Sequence, residues 1–340
     1  MSKIPAQIVG VTSENVKKNI DRIEQTLRSI AKFRRPTIRI VFNLELNPQT
    51  EYLGALRRLH GTSDETRIAY VVGEIADSFF LWRFNDQHKG DPSHLDLMSR
   101  LDLYLETLGD FVDVWEIGNE VNGEWSGWKE IDDCDGKTTH DWTADGMGKM
   151  RATVARQTYE IFQRVKSHPK TKLSDTLLTL YFYTSKNKDC WPDTLKAPDC
   201  SSFDVNGEDY EMLKWLNDHD LKPPRFAPEY VLLSVYEDDC NNIVPSIKDW
   251  LDIFRQVQGA FRHAKIGFGE TGSHCYDKSK PCSNQQVENI TKHYGELHAT
   301  LTLSLSDYVG GYFHWFFDSD MLKPNSMPLQ ALIDAIRLWR

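Results

Sequence analysis

The sequence predicts an α/β fold, a single (β/α)8 TIM barrel with long βα loops on its catalytic face. Three observations predict it. Short β-rich runs alternate with amphipathic helical stretches from end to end, eight such pairs fit within 340 residues, and no repeat or low-complexity linker divides the chain. Forty Lys and Arg against 50 Asp and Glu leave a formal charge of −10, with 40% apolar and 26% charged residues, an ordinary globular balance. Length alone also admits two domains, but the unbroken alternation assigns residues 1–340 to one barrel.

The first strand is expected over residues 8–11. It leads into a helix whose apolar positions Val16, Ile20, Ile23, Leu27 and Ile30 recur at the spacing of one helical face. The second strand, residues 37–42, precedes a weaker helical pattern over 52–59. The third, 68–72, precedes a helix carrying Leu97, Leu101, Tyr104, Leu105 and Leu108, opened by Asp91-Pro92 and closed by Gly109. The fourth strand, 112–117, is followed by a helix starting near Ala144, and the fifth, 177–183, by a weak pattern over 210–216. The sixth, 230–235, feeds a helix with Ile247, Trp250, Leu251, Phe254 and Val257. The seventh, 266–268, feeds one with Val287, Ile290, Tyr294, Leu297 and Leu301. The eighth, 309–316, precedes a last helix opened by Ser326 and Pro328 and carrying Leu329, Leu332, Ile333 and Ile336. An open doubly wound sheet would want a glycine-rich phosphate turn after its first strand, and Gly10-Val11-Thr12-Ser13-Glu14 is not one.

A sequence pI of 5.6 and the lack of a Lys/Arg run argue against nucleic acid as a partner, because neutralising many phosphates needs clustered positive charge. No window approaches 18 consecutive apolar residues, so no membrane span is expected, and nothing in the pattern calls for a metal or other cofactor. A monomer is expected. Two loops are long: about 23 residues separate Glu120 from the helix near Ala144, and a similar stretch follows Tyr183, where two to six is usual. Both follow strands, so in a barrel they rise on the face that binds substrate. They carry Trp125, Trp128, Trp142 and Trp191. Exposed indoles stack well on the C–H faces of sugars; the alternative for each is to pack its loop onto the barrel.

The run Val112 to Glu120, VDVWEIGNE, reads as a buried strand whose alternation places Glu116, Gly118 and Glu120 on one side and Trp115, Ile117 and Asn119 on the other. An ionised Glu116 inside a packed barrel needs a cation, and Arg39 in TIRIVF is the expected partner, an architectural pair, with Arg39 also counted among the residues expected at the substrate site. Glu120 falls at the strand end, where it can meet a substrate. In KIGFGETG a second short strand ends at Glu270. By strand count Glu120 closes strand 4 and Glu270 strand 7, on opposite walls of one mouth. Paired carboxylates suit glycosidic bond cleavage, one protonated to donate to the leaving oxygen and one ionised to attack or to direct water.

WEIGNEVN at strand 4 and GFGETG at strand 7, 150 residues apart, resemble the signature of the large clan of retaining glycoside hydrolases with (β/α)8 barrels. The resemblance implies Glu120 as acid/base, Glu270 as nucleophile, and Asn119 as donor to the substrate 2-hydroxyl. It implies Trp315, in GYFHWFFD, as the aromatic floor of that subsite and Tyr236, ending VLLSVY, as the tyrosine that orients the nucleophile. Two departures are visible. Many members carry Pro where this chain has Val121, and strict alternation turns Asn119 away from Glu120. His274 and His314 lie near the mouth by sequence, with satisfied structural roles expected.

Cys134, Cys190, Cys200, Cys240, Cys275 and Cys282 all fall in loops after strands, the pattern of disulfides that tie down loops in an oxidising compartment. The expected pairs are 275–282, 190–200 and 134–240, and the expected location is secreted or periplasmic, with the leader absent from this numbering. Zinc is the rival reading, but no CxxC or His-x3-His spacing is present. Asn289-Ile290-Thr291 is a sequon inside an expected helix. The tryptophan-bearing loops favour an endo-acting enzyme on a β-linked poly- or oligosaccharide. A carbohydrate-binding barrel without turnover and a transglycosylase on the same scaffold are the alternatives.

Overall fold

The computed structural model describes residues 7–75, 97–121, 157–182, 226–236, 245–273 and 283–339. Eight strands close a barrel in chain order: β1 Ile8–Ser13, β2 Thr37–Val41, β3 Tyr70–Glu74, β4 Val114–Gly118, β5 Asp175–Tyr181, β6 Tyr230–Tyr236, β7 Lys265–Gly272 and β8 Gly310–His314. Every neighbouring pair is parallel, including β8 on β1. The chain is thus a (β/α)8 barrel. β1, β4, β6 and β8 are buried along their whole length, which is why they read as near-continuous apolar runs and not as half-polar alternations.

Helices cover the outside at the expected periodicity. Val16–Ala31 buries Val16, Ile23, Leu27 and Ile30. Leu97–Leu108 buries all five positions that its pattern marked, and the Gly109 amide closes it on the Leu105 carbonyl at 3.0 Å. Asn284–Ser304 begins with a capping box in which the Ser283 side chain accepts from the Gln286 amide. Met327–Leu338 begins with the Ser326 side chain accepting from Leu329 N–H and Pro in its first turn. A further helix spans residues 157–167. The large shell between helices and strands is built on Trp115, Trp250, Phe254, Phe268 and Tyr104. The weak helical pattern over 210–216 and the Asp91-Pro92 start lie outside the described residues. Among the described residues, no helix is long and apolar enough to cross a membrane.

The barrel interior is stratified. Ile8, Val72, Val114, Leu177, Tyr230, Leu232 and Phe313 form an apolar plug. Two residues further along the same strands the inward positions turn polar: Glu74 after Val72, Glu116 after Val114, Thr179 after Leu177, Ser234 after Leu232. The period of two carries the side chains up one wall, so the change from apolar to polar marks a floor and, above it, a site.

Some boundaries differ from the sequence reading. β3 runs to Glu74, not Val72, which brings an unforeseen carboxylate into the barrel. β7 runs to Gly272, so Glu270 lies within the strand and not at its end. Both extensions exist because neighbouring strands supply hydrogen-bonding partners beyond the apolar run, as Val41 pairs with Glu74 and Thr271 with His314. At Gly311 the backbone has φ 106, and an added Cβ would meet the Phe268 carbonyl oxygen at 1.8 Å. Only glycine lets β8 lie that close to β7.

On the outer side of β8, His298 is 1% exposed and stacks on Trp339 at 3.7 Å between ring centroids, with Tyr308 and Tyr312 beside it. Burial, with a smaller push from Arg34, drives its pKa down from 6.5 to about 3. A depressed histidine pKa means that the unfolded chain binds the proton first. Stability is therefore present above about pH 6.5 and is lost as pH falls toward 3, at up to about 1.4 kcal/mol per pH unit. Urea unfolding across that range should show a shallower acid slope for His298→Leu than for the wild type; equal slopes would remove the role given to His298.

Candidate active site at the barrel mouth

Arg39, the middle residue of β2, is 2% exposed and points into the polar layer. Its Nε donates to Glu116 Oε2 at 2.5 Å and its Nη2 to Glu116 Oε1 at 3.1 Å. The expected Arg39–Glu116 pair is present, but the guanidinium does more than the sequence reading assigned to it. Nη1 donates to Glu270 Oε1 at 2.6 Å, and Nη2 lies 3.0 Å from Glu74 Oε2. Burial opposes the charge on Arg39, but Glu116, Glu74 and Glu270 outweigh it and hold its pKa well above the ordinary arginine value. Arg39 thus pairs with Glu116 as expected and also touches the strand 7 carboxylate.

Glu270, 4% exposed, receives two more side-chain donors besides Arg39. Asn119 Nδ2 donates to Oε1 at 3.1 Å and the Tyr236 hydroxyl to Oε2 at 2.5 Å. The Glu270 amide donates to Ser234 Oγ at 3.1 Å, tying β7 to β6 beneath the side chain. A carboxylate receiving Arg, Asn and Tyr donors has its orientation set on both oxygens.

Strict alternation would have turned Asn119 outward, and the structure shows why it is not. Between Glu116 and Gly118 the β4–β5 register slips, since Glu116 pairs with Leu177 and Gly118 already with Leu178. That extra β4 residue is a bulge, which re-aims the side chains that follow. Gly118 is packed against Val121, where an added Cβ would sit 2.5 Å from its Cγ1. Glu120 then takes a left-handed φ of 48, uncommon for a non-glycine residue, and is 7% exposed.

The Tyr236 hydroxyl registers both glutamates: burial first, then Glu270, then Glu120 push its pKa well above the ordinary phenol value. Tyr236 packs with Tyr181 against Trp315 and Phe316, and the Arg39 guanidinium lies 5.6 Å from the Trp315 ring centre. Trp315 follows β8, with its amide donating to the Thr271 carbonyl at 3.1 Å. Tyr181, Phe316 and Glu74 were not singled out from the sequence. A signal for Glu74 existed, an acidic residue closing the apolar run YVVGE as Glu116 interrupts VDVWEIG.

In fold, the chain is similar to β-glycosidase barrels. A β-glucosidase from Thermotoga maritima matches at TM-score 0.60 and 9% identity, over 99% of both chains. A thermostable mutant of a xylanase from Cellvibrio japonicus matches at TM-score 0.57 and 14% identity, over 97% of this chain and 98% of that one. Bacteroides uniformis β-glucuronidase 2 matches at TM-score 0.51 and 12% identity over 91% of this chain, which spans only 30% of that longer one. No family model matches, nor does any curated protein sequence.

His314 Nε2 lies 3.0 Å from Asp320 Oδ2. Asp318 accepts from Ser13 Oγ at 3.0 Å and from the Asn15 amide at 3.1 Å, joining the residues after β8 to the end of β1. Burial raises the Asp318 pKa. Among the described residues no group of three His, Cys, Asp or Glu is placed to hold a metal ion. Trp125, Trp128, Trp142, Trp191, His274 and all six cysteines lie outside the described residues. The sequon falls in the helix Asn284–Ser304, with Thr291 buried and bonded to the Val287 carbonyl at 2.8 Å.

Proposed function

We propose that the chain is a retaining glycoside hydrolase that cleaves β-linked sugars by double displacement. The observation that carries this reading is Glu270 itself: a carboxylate at the mouth of a (β/α)8 barrel, fixed by Arg39, Asn119 and Tyr236, and sharing that phenol's field with Glu120. The similarity in fold to a β-glucosidase and a xylanase supports the same class. Glu270 attacks the anomeric carbon while Glu120 donates its proton to the departing oxygen. Glu120 then takes a proton from the water that attacks the glycosyl-enzyme, which restores Glu270. Asn119 meets the 2-hydroxyl, and Trp315 with Phe316 and Tyr181 offers ring faces to the sugar. The loop sequence after strand 4, with Trp125 and Trp128, favours endo action on a poly- or oligosaccharide. The six loop cysteines favour disulfides and an oxidising compartment.

A panel of β-linked polysaccharides and aryl β-glycosides, followed by proton NMR of the first product anomer, tests the reading. Retained configuration is expected; inversion or no turnover on any member would overturn it, and an acceptor sugar outcompeting water would make the enzyme a transglycosylase. Within this mechanism Tyr236→Phe removes one donor to a charged acceptor, which is worth about 1.5–3 kcal/mol, or roughly 10- to 100-fold in kcat/KM. An unchanged kcat/KM would show that the hydroxyl does not act on Glu270.

A further inference from the structure

Below Glu270 the barrel holds two carboxylates that the double displacement does not use. Glu74 and Glu116 are direct register partners on β3 and β4. Both are 0% exposed, and both point inward by the alternation that places Val72 and Val114 in the apolar plug. Arg39 Nη2 lies 3.0 Å from Glu74 Oε2 and 3.1 Å from Glu116 Oε1, so these two oxygens are no more than about 6 Å apart. The same guanidinium serves Glu270 through Nη1. With Glu270 they bring three carboxyls to one guanidinium, so full ionisation would leave two uncompensated negative charges away from water, which a proton held on the pair relieves.

We propose that Glu74 and Glu116 share a single proton in the resting molecule and act together, through Arg39, as the positioning pair beneath Glu270. The groups facing the pair are Arg39 from β2, Thr179 from β5, whose hydroxyl donates to Glu116 Oε1, and Glu270 from β7. Burial raises the Glu116 pKa against the pull of Arg39 and Thr179, in keeping with a proton held nearby. The two carboxyls titrate as one unit, so their apparent pKa values belong to the pair. The consequence for Glu270 is one negative charge across the guanidinium instead of two. When Glu270 loses its charge on forming the glycosyl-enzyme, Arg39 still has the remaining charge of the pair to balance it. That consequence rests on the glycosidase reading, whereas the shared proton does not.

Infrared spectroscopy of the full chain in D2O at neutral pH tests the shared proton directly. A protonated-carboxyl band is expected that disappears in Glu74→Gln and equally in Glu116→Gln, because each leaves one carboxylate paired to Arg39. The same band should persist in Glu120→Gln. A band lost in only one of the two variants, or in neither, overturns the proposal. Should either variant fail to fold, carbon-13 NMR of carboxyl-labelled glutamate in the wild type carries the test. One interior carboxyl is expected to be protonated at neutral pH beyond the one that Glu120→Gln removes, and its absence is equally decisive. If the sugar panel shows no turnover while the shared-proton band follows this pattern, the glycosidase reading fails and the proton pair stands.

Discussion

Glu270→Gln is expected to lower turnover of any β-glycoside substrate by about 10⁴-fold or more, the scale on which removing a covalent nucleophile acts, while sugar affinity changes little. The substitution is nearly isosteric, so the surrounding donors are preserved as a test of charge and not of shape. The glutamine carbonyl still accepts from Arg39 Nη1 and Asn119 Nδ2, and its amide group meets Tyr236, whose hydroxyl can turn from donor to acceptor. What disappears is the negative charge and the capacity to bond the anomeric carbon. Steady-state kinetics on aryl β-glycosides, with calorimetric titration of an oligosaccharide product, reads both quantities. Full activity in the variant would remove Glu270 from the reaction, and sugar binding with no activity in the wild type would make the protein a carbohydrate-binding barrel.

Arg39→Met is expected to be the most destabilising single change at the site. The side chain is close in length, so packing is largely kept, but Glu74, Glu116 and Glu270 lose a cation that lies at 3.0 Å or closer to each. Breaking a buried pair by removing one partner costs about 3–5 kcal/mol, because uncompensated charge is left in the interior. The sign of the pH dependence is distinctive. The Glu116 carboxyl already sits above its ordinary range, chiefly through burial, and loss of Arg39 removes the main force opposing that rise. A carboxyl whose folded pKa lies above the unfolded value contributes stability at low pH that is lost as pH rises through the folded value. The deficit of Arg39→Met relative to wild type should therefore shrink from neutral toward mildly acidic pH in urea unfolding. His298 acts in both proteins and cancels in that difference. A deficit that stays constant or grows on acidification would show that the three carboxylates do not depend on the guanidinium for their charge.

The legible part of this protein is the part written in local periods. Helices announced themselves by apolar residues at helical spacing, and Leu97, Leu101, Tyr104, Leu105 and Leu108 are all buried as that spacing requires. The strands announced themselves by short buried runs, and their order around the barrel followed from the alternation with helices. Glu116 and Arg39 were recognisable as partners because a charge inside a packed strand demands a counter-charge, and Arg39 is the one charged residue of TIRIVF. Glu74 escaped because the apolar run that defines β3 stops before it. Its inclusion depends on the pairing of β3 with Val41 on one side and Glu116 on the other. Asn119 was misdirected for the converse reason: a period of two is a property of an unbroken strand, and the β4–β5 register slip is not.

The sequence by itself determined the eight strands, the helices with a clear apolar face, and the glutamates of the strand 4 and strand 7 motifs, because these depend on side chains a few residues apart. Only the tertiary structure decided that one guanidinium is shared by Glu74, Glu116 and Glu270, and that Asn119 swings to face the last of these. Those contacts join β2, β3, β4 and β7. They are set by how the strands stagger when the sheet closes on itself, a quantity that belongs to the whole barrel and to no single segment.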